Sequence, residues 1–483
     1  MEGYLGIDIG TTNCKVGLFD ETGATLTVES CPSPVKERIY YDMEAIWASV
    51  MQMLKNITSR YPGLVVKSIG ITGMAEGGLL VDPASGQDLC DMMPWYFAAA
   101  IPVYDSMRDE IDDEERFYIT GLHNYHKYSF YKLMYLQKVK GMNLQGTKWL
   151  SPPDYICYRL TGEFLTDYTL ALRTYCFNIN TLEYDQAFME KMGLPTDIFA
   201  RAKNASSPSD VMVKQDIMET VGLSGSIPVN VSGHDHWCSA VAVGAVHEED
   251  IFASMGTAQA ILGNFKSRPL TRQDYERGFS FGLHVLEDRM TWLGSVQASG
   301  GSMEWIREIL DLKDRDKDYS IMMGLMEEYA DEPSGILYYP YLVGRGAPRL
   351  DGSYKGSFIG LERGATRGRM LKAVMEGIAY ETRYVLEAVE GGPGNNFMMV
   401  GGGTRNKVLM HSMSDITGIA ITIPEIQETT CLGAALVGAG KDMKASFSKT
   451  RIEPDAGRHP LYDPMYQKYL ELGRILDAAG WHI

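Results

Sequence analysis

Three short stretches carry residue types fit for chemistry. The first, Asp8-Ile-Gly-Thr-Thr-Asn-Cys-Lys15, sets a carboxylate, two hydroxyls and an ammonium around a glycine-bearing turn. Backbone N–H groups at Gly10 to Asn13, the hydroxyls of Thr11 and Thr12 and the charge of Lys15 can surround a triphosphate, with Asp8 holding Mg2+ through water. The same residues also suit a polar hairpin with a buried acid at a strand end. The second stretch is Gly233-His-Asp-His-Trp237, between an apolar strand pattern and the small-residue run CSAVAVGA. An acid at a helix start feels the positive end of the helix dipole and stays ionised, so Asp235 suits a general base. Helix capping by that acid and metal binding by His234-Asp235-His236 compete with this reading, although the spacing offers no i, i+4 pair and no third ligand. The third is FMMVGGGTRN, Phe397 to Asn406, where glycines between a strand and a helix let a flat or phosphorylated ligand lie against the backbone. A flexible turn is the plain alternative. The dinucleotide fingerprint fails because Asn406 stands at its last glycine position, which leaves a Rossmann oxidoreductase as the minor reading.

The elements around these stretches repeat. YLGIDIGTTNCKVGLF alternates apolar and small residues on either side of the Gly10–Asn13 tip, which predicts two consecutive strands. IFASMGTAQAILGNF reproduces the pattern 246 residues later, with Gly256-Thr257 at its tip, which points to internal duplication. Apolar residues at helical steps predict a long helix from Thr366 to Glu390, stopped by Gly391-Gly392-Pro393. Strand 397–400, loop 401–404, a helix to about Thr417 and strand 419–423 then follow, the order of an α/β layered domain. In SPPDYICYRLTG, Ser151 is the expected N-cap and Gly162 the stop of another helix. The boundary between the two halves is placed near residue 246, giving domains 1–246 and 247–483.

Composition excludes other classes. The 483 residues include 45 Lys+Arg against 62 Asp+Glu, and a net charge of -17 argues against nucleic acid or a membrane surface as partner. With 45% hydrophobic and 22% charged residues the chain is an ordinary globular one, long enough for two or three domains. No apolar run reaches the ~18 residues of a membrane span, and the N-terminus has no secretory pattern. Seven scattered cysteines without a C-x-x-C pair suggest a reducing, cytoplasmic setting.

Taken jointly and in order, these motifs resemble those of the FGGY carbohydrate kinases, relatives of glycerol kinase and xylulokinase within the actin-like ATPase fold. GIDIGTT is similar to the family's first phosphate motif, FASMGTA to its second, VGGGTRN to its adenosine motif and SGHDH to the segment bearing its catalytic aspartate. DYICYRLTGEFLTD and GSFIGLERGATRGRMLKAVMEG resemble further signature stretches, and the likeness runs from about Tyr4 to Gly440. The resemblance implies two ribonuclease H-like domains closing on a central cleft. It implies ATP and Mg2+, with Asp8, Thr11, Thr12 and Lys15 toward the phosphates and metal and Gly256 and Thr257 opposite. Gly300, Gly402 and Asn406 would line the nucleotide pocket, and Asp235 would take a proton from the hydroxyl of a small sugar or polyol. Glu76, Trp95 and His236 join Asp235 on the substrate side, and the resemblance leaves room for a homodimer.

The substrate segments depart from the pattern. Where glycerol-type members carry an Arg-Glu pair this chain has Ala75-Glu76, and the Asp and Arg that usually follow Trp95 are absent from Trp95-Tyr96-Phe97-Ala98-Ala99. Arg345-Gly346 replaces a common Glu-Arg pair. An open-chain polyol, a deoxy sugar or a sugar acid therefore stays open, and Tyr96 and Phe97 are either a flat wall or core. His123, His126 and Tyr128 are candidate hydroxyl contacts or simply a polar helix start. The alternative function is a non-catalytic nucleotide- or sugar-sensing member of the same fold.

Overall fold

The computed structural model describes all residues except 318, 390–395, 427, 441, 442, 444 and 481–483. Its frame is two sheets of the same design. In the first, β1 (Glu2–Ile9), β2 (Asn13–Phe19) and β3 (Thr25–Pro32) run antiparallel, while β4 (Val65–Gly73) and β5 (Val229–His234) lie parallel beyond β1, in the order β5-β4-β1-β2-β3. The second sheet contains β6 (Asp250–Met255), β7 (Gln259–Lys266), β8 (Ser280–Leu283), β9 (Arg289–Val296), β10 (Asn396–Val400), β11 (Ile421–Pro424) and β12 (Lys449–Ile452). Its inner order β9-β7-β6-β10-β11 reproduces the first sheet, with β10 and β11 again parallel to β6, and β8 and β12 are added at the edges. A shared strand order of this kind, helix-covered, is the ribonuclease H-like arrangement, and it explains the two similar hairpin sequences.

Strand β1 is buried on both faces, and its two faces differ. Leu5, Ile7 and Ile9 pack with Ile46, Val50 and Ile57 of α1 (Met43–Arg60), which Asp42 caps by accepting from the Ala45 N–H. The other face is floored by glycine. A Cβ on Gly6 would lie 1.9 Å from the Cys431 carbonyl oxygen, and one on Gly70 would lie 1.8 Å from that of Ala434. Only glycine admits a helix backbone this close.

Further helices frame the site, several of them at the sequence signals. Helix α2 (Pro152–Thr161) starts at Ser151 in a capping box with Asp154 and ends at left-handed Gly162. Short α3 (Tyr168–Leu172) is capped by Asp167, and α4 (Asp235–Val243) follows β5 directly. In the second half come α5 (Gly300–Ile309), α6 (Arg367–Glu387), α7 (Lys407–Thr417), α8 (Thr429–Ala439) and α9 (His459–Ala478). The sequence-based stop of α6 at Gly391-Gly392-Pro393 lies outside the described residues. Helix α8 is the one that presses on the glycine face of the first sheet, and it also packs on α4, where a Cβ on Gly433 would reach the Cys238 carbonyl oxygen at 1.8 Å. The late chain thus returns to roof the early sheet. Among the described residues no helix is long and apolar enough to cross a membrane, and all seven cysteines are free.

Candidate active site

Both hairpin tips are held by their backbones and left open at their side chains. At the first, Gly10 N–H donates to the Asn13 carbonyl at 3.1 Å and Ser33 N–H to the Thr12 carbonyl at 2.9 Å. Ser33 Oγ donates to the Gly10 carbonyl at 2.7 Å and Tyr41 OH to that of Thr11 at 2.9 Å, while Thr11 and Thr12 stay exposed. At the second tip, Gly256 N–H donates to the Ala258 carbonyl at 2.9 Å. The start of α5 clamps it, with Gly300 N–H on the Gly256 carbonyl at 3.0 Å and Gly301 N–H on that of Thr257 at 2.9 Å. A Cβ on Gly300 would stand 2.4 Å from that Gly256 oxygen. The 401–403 glycines press on the same strand end, since a Cβ on left-handed Gly401 would lie 2.5 Å from the Met255 carbonyl oxygen. Gly402 faces open space, and Asn406 caps α7 through the Leu409 N–H. Thr257, Gly300 and the glycine loop are therefore one neighbourhood.

The acids belong to the first half. Asp8 lies one residue before the end of β1, opposite Lys15 of β2, and is 8% exposed, with Oδ1 lacking a hydrogen-bond partner. Burial first, and then the charge of Asp235, push its carboxyl up to about 8 against the pull of Lys15. Lys15 itself is drawn toward Glu428, 2.5 Å away. Asp235 is the first residue of α4. Its Oδ1 lies 2.7 Å from His234 Nδ1 and accepts from the His236 N–H at 2.7 Å, and 28% of the side chain is open. Burial opposes ionisation here, but His236, His234 and the hydrogen bonds outweigh it and hold this carboxyl well below the usual carboxylate range. The approach to α4 is fixed from outside: His234 N–H donates to Thr169 Oγ1 at 2.9 Å, and left-handed Gly233 has no room for a Cβ beside Val285, Thr169 and Asp167. His236 stands 3.9 Å from the same Asp235 oxygen. Among the described residues no group of three or more His, Cys, Asp or Glu is placed to hold a metal.

Glu76 sits in a left-handed conformation (φ 59°) just beyond β4, a strained setting for a non-glycine residue. Its Oε1 meets Lys127 Nζ at 3.3 Å and Arg173 Nη1 at 3.4 Å. Burial would raise its pKa, but the two cations carry it down to about 2. The sequence reading missed both: it weighed His123, His126 and Tyr128 in the stretch holding Lys127, and passed over Arg173 behind LTDYTLAL. The structure spends His123 on Asp113 and stacks buried Tyr128 on Tyr175. Of the aromatic run, Phe97 is core, whereas Trp95 and Tyr96 are 45% and 41% exposed. Tyr96 OH lies 3.0 Å from the same Tyr41 hydroxyl that holds the first tip. Arg345 is buried away from these groups, 3.5 Å from Glu381. A cavity of about 1210 Å³ also lies elsewhere, among Tyr4, Asn230, Gly244 and Gly438 at the far ends of α4 and α8, and it contains none of this chemistry.

Residues 3–242 match the family model for the N-terminal domain of the FGGY family of carbohydrate kinases, and residues 252–440 match the one for its C-terminal domain. The chain belongs to the FGGY carbohydrate kinases. A glycerol kinase from Saccharolobus islandicus is 27% identical over 468 residues, covering 92% of this chain and 90% of the relative. Among solved structures, the xylulose kinase from Rhodospirillum rubrum superposes with a TM-score of 0.88 at 22% identity over the full length of both chains. The Plasmodium falciparum glycerol kinase with ADP gives 0.85 at 19% identity, covering 98% of each chain. As an FGGY kinase the protein is a phosphotransferase acting on small sugars or sugar alcohols.

Proposed function

We propose that this FGGY kinase transfers the γ-phosphoryl group of ATP to one hydroxyl of a small sugar, polyol or sugar acid, with Asp235 as general base. The observation that carries the proposal is the Asp235 carboxylate: ionised, partly open, set at a helix start, and close enough to Asp8 at the root of the first tip to raise its pKa. In this reading the acceptor oxygen bonds to the γ-phosphorus as the bond to the β–γ bridging oxygen breaks. ADP leaves with that electron pair, and the hydroxyl proton passes to the open carboxylate oxygen of Asp235. The transition state is loose, so alignment and charge stabilisation outweigh the base. Thr11 and Thr12 on one side and Gly256 and Thr257 on the other would flank the phosphates, with Gly300, Gly402 and Asn406 on the adenosine side. Glu76, Trp95 and His236 would meet the acceptor.

The residues fit Mg2+. Asp8 presents a buried oxygen without a partner, and a hard cation shared with phosphate needs one or two such carboxylates rather than a protein cage. When bound, Mg2+ would neutralise phosphate charge, held from Asp8 through water. A second reading, a member that binds nucleotide and sugar without turnover, is favoured by the uncharged run after Trp95. A coupled ADP assay over pentuloses, hexuloses, deoxy sugars, polyols and aldonates decides between them. The kinase reading expects ADP release that depends on one acceptor class, whereas nucleotide binding with no turnover over the whole panel selects the second.

A further inference from the structure

Charge around Glu76 does not balance. Arg173 is 3% exposed at its side chain, permanently charged, and 3.4 Å from Glu76 Oε1, so it already matches the single negative charge of Glu76. Lys127 approaches the same oxygen at 3.3 Å, yet its side chain is 26% open. Among the described residues, Glu76 is the only carboxylate within 4.0 Å of either cation. Arg173 Nε and Nη1 are buried without hydrogen-bond acceptors. Behind Lys127, the Nζ of Lys132 donates to the Lys127 carbonyl, and burial pushes the Lys132 ammonium down to about 7. Asp235 pairs directly with neither cation, since its ion-pair contacts within 4.0 Å are His234 and His236. Hydroxyls of a neutral polyol would leave this excess standing, and a buried cation lacking a counter-charge is costly.

We infer that the acceptor carries a carboxylate and that Lys127 grips it, with Arg173 positioning Glu76 behind. The inference rests on the kinase reading and narrows its acceptor to sugar acids. Lys127 then supplies, from a different loop, the cation that position 75 lacks, and with 26% of its side chain open it can meet a ligand as well as Glu76. A carboxylate suits the place better than a second hydroxyl because charge-assisted hydrogen bonds are about twice as strong as neutral ones.

The test compares matched pairs of acceptors, gluconate against sorbitol and xylonate against xylitol, with glucose 6-phosphate as a further anion. The expected result is a kcat/KM for an aldonate about 100-fold above that of its alditol, the size of one charge-assisted contact. In Lys127→Met that advantage falls to within about 3-fold, through KM, and in Lys127→Arg it is retained, as expected for a single charged contact. Equal turnover of alditols and aldonates overturns the inference while leaving the kinase reading intact. So does an advantage undiminished in Lys127→Met, or a preference for the sugar phosphate. Should no acceptor release ADP, the kinase reading falls, and melting temperature with each pair becomes the readout. A shift with aldonate but not alditol then still supports a carboxylate site, and no shift with either removes it.

Discussion

The two sheets share a strand order and a hairpin tip, yet their surroundings are opposites. Around the first tip stand Asp8, Asp235, Lys15 and Glu428, and beyond them Glu76 with its cations. Around the second stand Gly300, Gly301 and the 401–403 loop, held by backbone contacts. One strand order is built twice, and the residues at the two tips differ in kind. Under the proposed function the first half would hold charge in fixed positions for the reaction, and the second would offer bare backbone against which the nucleotide lies closely. Shape is cheap to supply with glycine, whereas charge must be buried, paired and oriented.

Substitutions can break this comparison at several levels. The largest effect is expected for Gly6→Val, whose new side chain would collide with the Cys431 backbone and push α8 off the first sheet; loss of about 3 kcal/mol or more is predicted from denaturant unfolding. A variant as stable as the parent would show that the roof contact is slack. Next is the charged cluster. With its pKa lowered to about 2, Glu76 contributes stability that is present above its unfolded value of 4.5 and lost as pH falls toward 2, about 3 kcal/mol in all. The stability gap between wild type and Glu76→Gln should therefore be wide at pH 6 and narrow at pH 3, and a constant gap contradicts the ion-pair account. For the glycine side, Gly300→Ala should weaken ATP binding about 10-fold in calorimetry, because the tip must shift to admit the methyl group. The smallest effect is at Gly402, where a Cβ meets nothing within 4 Å; Gly402→Ala should alter folding stability by less than about 0.5 kcal/mol.

Much of this was legible in the sequence because it depends on local pattern. The hairpins around Gly10 and Gly256, the Ser151 cap, the Gly162 stop and the strand–loop–helix around Gly401 all follow from alternation, capping and glycine. The helix start at Asp235 follows in the same way. What stayed hidden depends on contacts between distant segments. Nothing local to Thr429–Ala439 says that it roofs the first sheet, although the glycines at positions 6 and 70 were a trace of it. Lys127 and Arg173 escaped because a lone cation has no periodicity, and only the fold brings both to one oxygen of Glu76. The exposed Trp95 and Tyr96 beside buried Phe97 show the same limit, since one aromatic run splits between surface and core.

The proposed proton transfer depends most on Asp235, and acceptor-dependent ADP release by Asp235→Asn tests it most directly. A positioned base contributes about 10²- to 10⁴-fold, so kcat should fall by about 10³ while calorimetric ATP affinity stays within about 3-fold of wild type. An Asn variant that turns over within about 3-fold of the parent would contradict the assignment of the proton to this carboxylate.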